Sequence, residues 1–156
     1  MYAMRDSRPV LLVEDDSIDA MTVQRAFRDL KVANPLKRAT NGEEALAYLK
    51  DAANDRPCVI LLDLNMPKMN GTEFLRVAKA DPALRKIPVI VLTTSSEERD
   101  VVESFRHSVA GYIIKPVDYR NFVEAIRTID VYWTLSELPH EKAEDAHVLC
   151  STHTAD

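Results

Sequence analysis

Four positions carry acidic, hydroxyl or cationic side chains directly after short apolar runs. Glu14-Asp15 follow Val10-Leu11-Leu12-Val13, Asp63 follows Val59-Ile60-Leu61-Leu62, Thr93 follows Val89-Ile90-Val91-Leu92, and Lys115 follows Tyr112-Ile113-Ile114. If the carboxylates meet at about 4 Å, each pair repels by about 4 kcal/mol at an effective dielectric near 20, so a cation must relieve them. Lys115 offers one charge. Oxygen ligands from Asp15, Asp63 and a nearby carbonyl also suit Mg²⁺, which prefers octahedral oxygen coordination and keeps vertices for water or a phosphoryl oxygen. Asp63, Thr93 and Lys115 then read as nucleophile, hydroxyl donor and cationic clamp for phosphoryl transfer, a reaction catalysed mostly by positioning and charge neutralisation.

Those residues meet only if the elements bring them to one rim. The four runs, with a weaker one at Leu36 to Ala39, are β-branched and nearly continuous in apolar character, as strands buried on both faces of a parallel sheet are. Helical patterns separate them. Asp16 or Ser17 caps a helix carrying Ile18, Met21, Phe27 and Leu30; Thr40 with Glu43, Asn70 with Glu73 and Ser95 with Glu98 have capping-box spacing ahead of apolar residues. Pro82 stands beyond the end of the third helix. A last helix begins near Asp118, with Phe122, Ala125, Ile126, Ile129 and Trp133 on one stripe. The β-α order, repeated five times, predicts an α/β fold with right-handed crossovers and helices on both faces. In such sheets ligands bind outside the carboxyl ends of the strands, which is where Asp15, Asp63, Thr93 and Lys115 fall.

Composition excludes several other classes. The chain has 156 residues, 46% of them hydrophobic and 29% charged, in keeping with one globular domain. A net charge of −5 argues against broad nucleic-acid binding. No apolar run approaches the roughly 20 residues of a membrane-spanning helix, and the start MYAMRDSRPV has no signal-peptide apolar stretch. The expectation is a cytoplasmic protein with neither nucleic-acid nor membrane partners. Two cysteines, Cys58 and Cys150, have no paired spacing, so no structural disulfide is expected. Three glycines leave no phosphate-cradling loop for a nucleotide.

The segments VLLVEDDS, VILLDLNMPKMNG, IPVIVLTTSSEE and AGYIIKP resemble the receiver domain of bacterial two-component response regulators. Thirty residues separate Asp63 from Thr93 and fifty-two separate Asp63 from Lys115, matching single-domain receivers of the chemotaxis type. The resemblance implies a flavodoxin-like doubly wound sheet of five parallel strands in the order 2-1-3-4-5 with five flanking helices, over a receiver domain of residues 8–136 and a polar tail of residues 137–156. It implies that Asp63 accepts a phosphoryl group from a phosphohistidine of a sensor kinase. Asp15 would bind Mg²⁺ directly, Glu14 through water, and Asn65 through its backbone carbonyl. Lys115 would bond the phosphoryl group, and a cis bond would precede Pro116. Thr93 and Tyr112 would move inward as switch residues once charge is added at Asp63, altering the surface of the fourth helix, fifth strand and fifth helix. Ser95 would tune attack by water, besides capping its helix.

Plainer readings compete at several positions. Asp16 is better explained as a helix cap than as a ligand. His140, His147 and His153 lack close spacing and lie in a polar segment, so a solvated tail is expected there. A haloacid-dehalogenase-like phosphatase also uses a strand-end Asp with Mg²⁺, but needs a second Asp two residues on, where this chain has Asn65. A phosphorylation-independent scaffold on the receiver fold usually lacks a site residue, and here all are kept. After Trp133 only twenty-three residues remain, too few for a helix-turn-helix or catalytic module, so action through an unidentified downstream protein is expected. The protein is expected to be no enzyme beyond self-directed phosphoryl transfer and slow autodephosphorylation. Val131, Tyr132, Trp133, Leu135 and Leu138 supply extra core or an interface. This ending, with Thr93-Thr94-Ser95, resembles the single-domain regulators that partner bacterial phytochrome-type kinases, implying such a kinase as partner and a homodimer.

Overall fold

The structure, a computed structural model, describes residues 8–64, 66, 68–93, 109–114 and 119–135. Five strands, β1 (Val10–Val13), β2 (Leu36–Ala39), β3 (Val59–Asp63), β4 (Val89–Thr93) and β5 (Gly111–Ile114), pair in parallel in the order β2-β1-β3-β4-β5. The helices are α1 (Ser17–Asp29), α2 (Gly42–Lys50), α3 (Gly71–Ala80) and α4 (Tyr119–Leu135). The expected helix with Val102 and Phe105, together with its Ser95–Glu98 cap, lies outside the described residues. Our α4 is therefore the helix counted fifth in the sequence.

The pleat sends alternate side chains to opposite faces. Val10, Leu12, Val59, Leu61, Ile90 and Leu92 pack on one side with Ala20, Val23, Ala26 and Phe27 of α1 and with Phe122 and Ile126 of α4. Leu11, Val13, Ile60, Leu62, Val89 and Val91 pack on the other with Ala45 and Leu46 of α2 and Phe74, Leu75 and Ala78 of α3. β1 and β3 are buried along their whole length, whereas β2, at the sheet edge, exposes Lys37 and Arg38. That difference explains why the β2 run reads weakly in the sequence: only a strand covered on both faces must be continuously apolar.

Two local expectations are corrected. Ile18 and Met21 do not join the core-facing stripe of α1; they are 72% and 64% exposed, because the helix meets the sheet through Ala20, Val23, Ala26 and Phe27. In α2 the cap is Asn41 and not Thr40: Asn41 Oδ1 accepts from Glu44 N–H at 3.0 Å, and the Glu44 carboxylate accepts from the Thr40 N–H and hydroxyl at 2.9 and 2.7 Å. These Thr40 bonds hold the Glu44 carboxyl below the ordinary carboxylate range. A tertiary contact sets this one-residue shift. Gly42 N–H donates to Met69 O at 3.0 Å, and a Cβ on Gly42 would lie 2.9 Å from that oxygen, so the glycine must open the helix pressed against the β3–α3 loop. The other caps agree with expectation. Asp16 accepts from Ile18 and Asp19 N–H, and Asn70 and Glu73 form a reciprocal capping box.

α1 ends in a Schellman turn, with Val32 N–H donating to Phe27 O and Lys31 N–H to Arg28 O. Lys31 occupies the left-handed position at φ 56°, where a Cβ is disfavoured. Lys31→Gly is expected to raise stability by roughly 0.5–1 kcal/mol, read as an increased urea midpoint at unchanged slope. A lowered midpoint would contradict this.

Candidate functional site

The parallel register of β1 and β3 builds the site. Val13 pairs with Leu62, so one further step along both strands places Glu14 beside Asp63. Neighbouring strands lie about 4.8 Å apart, and both residues share the parity of Leu12 and Leu61 on the α1 side of the sheet. Glu14 is fully buried and Asp63 is 3% exposed, while Asp15, in the β1–α1 turn, is exposed. Carboxylate oxygens of Glu14, Asp15 and Asp63 all lie within 4.8 Å of one another.

Each member is held from its backbone side. Glu14 N–H donates to Ala39 O at 2.9 Å, continuing the β1–β2 ladder, and Glu14 Oε2 accepts from Asp16 N–H at 3.3 Å. Asp63 is the last residue of β3, paired with Leu92 of β4. Behind it, Gly71 at the start of α3 donates its N–H to Leu64 O at 3.1 Å, and a Cβ there would come within 2.5 Å of Asp63 O. Only glycine lets α3 pack so tightly against the strand end. The same loop carries Lys68 in the left-handed region, φ 56°.

The structure thus brings together three expected residues, Glu14, Asp15 and Asp63. Thr93 closes β4, its backbone paired with Ile114, and Tyr112 pairs with Val91 within β5, so both stand on the strands expected. The β3 and β4 strands run one residue further than the apolar runs, since the ladder takes in Asp63 and Thr93 themselves. Asn65, Lys115, Ser95 and the Lys115–Pro116 bond lie outside the described residues, as does the tail with its histidines. Asp16 is a helix cap, as expected, and Cys58 is a buried thiol that makes no disulfide among the described residues. Among the described residues no helix is long and apolar enough to cross a membrane.

Arg38 is a contact that sequence reasoning missed. From β2 its Nε donates to Glu14 O and its Nη2 to Asp15 O, both at 3.0 Å. The available signal was a basic pair, Lys37-Arg38, inside a strand otherwise bounded by Leu36 and Ala39.

Three carboxylates at this separation repel one another when ionised, and a cation bound among them would relieve that repulsion. In chelator, Asp63→Asn is expected to stabilise the protein by about 1–3 kcal/mol. Mg²⁺ is expected to raise the melting temperature of the wild type, and the variant should lose most of that rise. A destabilised variant, or an equal Mg²⁺ response in both proteins, would contradict the electrostatic reading.

Comparison with known proteins gives a consistent assignment. The profile of the response regulator receiver domain matches residues 10–127. Response regulator Rcp1 of Synechocystis sp. is 36% identical over 128 residues, covering 80% of this chain and 87% of its own. The phosphorylated cyanobacterial phytochrome response regulator RcpA superposes with a TM-score of 0.73 at 37% identity, covering 82% of this chain and 94% of that one. The bacteriophytochrome response regulator RtBRR is similar at TM-score 0.71 and 36% identity, covering 96% of this chain and 94% of that one.

Proposed function

The chain belongs to the response regulator receiver family, and on that basis we propose that it is a stand-alone response regulator whose Asp63 accepts a phosphoryl group from a sensor histidine kinase. The observation that carries this reading is the convergence of the Glu14, Asp15 and Asp63 carboxylates at the carboxyl ends of β1 and β3. Hard oxygen donors, two of them buried, fit a divalent cation of the Mg²⁺ type, with Asp15, Asp63 and the Asn65 carbonyl as its ligands and Glu14 behind them. Bound there, Mg²⁺ supplies charge neutralisation for the carboxylates and for the incoming phosphoryl oxygens.

In the transfer, an Asp63 carboxylate oxygen forms a bond to phosphorus as the bond from phosphorus to the donor imidazole nitrogen breaks, and the electron pair leaves with the nitrogen. Asp63, held rigid at the end of a buried strand, loses little freedom in reaching that geometry. Lys115 bonds the transferred oxygens, and Thr93 and Tyr112 respond to the added charge. Asn65 cannot act as the general acid/base that a dehalogenase-like phosphatase requires, so slow release of phosphate by water follows and turnover of outside substrates does not. The receiver domain occupies residues 8–136 and the polar tail residues 137–156, in the cytoplasm.

Relatives named as phytochrome response regulators support a phytochrome-type kinase as donor. The aromatic ending of α4, Tyr132-Trp133, supports homodimerisation, and the output is contact with another protein. Asp63→Asn is expected to abolish covalent labelling by acetyl phosphate or a cognate kinase; a hydroxylamine-labile label persisting on that variant would sink the assignment. Sedimentation with and without beryllofluoride should show a dimer in at least one state, and a monomer in both at high concentration would refute dimerisation.

A further inference from the structure

We propose that Arg38 is a positioning residue that pre-forms the β1–α1 turn for cation binding, an inference that rests on the metal-binding reading of the acidic cluster. Its guanidinium grips two consecutive carbonyls, Glu14 O through Nε and Asp15 O through Nη2, each at 3.0 Å. Those carbonyls belong to the two residues whose carboxylates meet Asp63. β2 supplies a firm base for the grip, since its whole length is in register with β1 and Ala39, next in sequence, is buried and accepts from Glu14 N–H. Glu14 is therefore held at both its N–H and its carbonyl by β2. Asp15, exposed and beyond the ladder, has its carbonyl fixed by Arg38.

Two effects of Arg38 on a bound cation oppose each other, and their signs separate them. As a positive charge beside the turn, Arg38 repels a second cation, so on electrostatics alone its removal tightens binding. As a two-pronged donor it keeps Glu14 and Asp15 in the arrangement the cation needs, so on positioning its removal weakens binding. The guanidinium is exposed to solvent, which screens its charge, whereas the two hydrogen bonds act by contact. Positioning therefore dominates. Lysine keeps the charge but lacks the planar fork, so it cannot hold both carbonyls in the same way.

The test uses the full chain with Mn²⁺ as the probe, titrated by electron paramagnetic resonance, and backbone hydrogen exchange of the metal-free protein. Arg38→Gln and Arg38→Lys are both expected to weaken Mn²⁺ binding, by roughly three- to tenfold. Both should speed exchange in the segment spanning residues 13–17, with the β3 and β4 segments unchanged. Binding as tight as or tighter than wild type in either variant overturns the proposal, as does unchanged exchange in the turn. Should the wild type bind no Mn²⁺, the metal reading itself fails, and the exchange measurement still decides whether Arg38 orders the turn.

Discussion

Everything at the site depends on the parallel pairing of β1 with β3. Val13 lies opposite Leu62, and the next residue of each strand is a buried carboxylate. A shift of register by one residue would reverse which face each side chain occupies and separate Glu14 from Asp63. Both strands are apolar on both faces, with Leu11, Leu12, Ile60, Leu61 and Leu62 almost fully excluded from water, so a slip would carry Glu14 or Asp63 into that apolar interior. The core thus brings like charges together at the rim, an arrangement of oxygen donors that fits a divalent cation.

The surrounding contacts work in the same direction. Gly71 allows α3 to lie against the backbone of Asp63, and Gly42 lets α2 lie against Met69 in the loop between them. Arg38 and Ala39 fasten the β1–α1 turn from the neighbouring strand. Chain segments distant in sequence therefore meet at one rim, so Asp63 and its neighbours are positioned before any ligand arrives.

The fold was legible because a buried parallel strand leaves an unusually direct mark. The runs ending at Val13, Leu62 and Leu92 are continuous in apolar residues, and each is followed by a polar residue at the rim. The capping box at Asn70 and Glu73 and the Asp16 cap were legible for the same local reason. Contacts made across the fold were not. The cap of α2 moved from Thr40 to Asn41 because Gly42 must meet Met69, and the exposure of Ile18 and Met21 depends on which side of α1 the sheet occupies. Arg38 carries no motif, and its role exists only once β2 and β1 are paired.

The central claim is that the carboxylate at the end of β3 is the one that becomes phosphorylated. Borohydride reduction of the wild-type protein after Mg²⁺-dependent phosphorylation converts an acyl phosphate to an alcohol, and peptide mass mapping then locates the converted side chain. The account predicts conversion of Asp63 to homoserine, dependent on Mg²⁺, with Glu14 and Asp15 unmodified. Conversion at any other carboxylate, or the same yield in chelator, would contradict it.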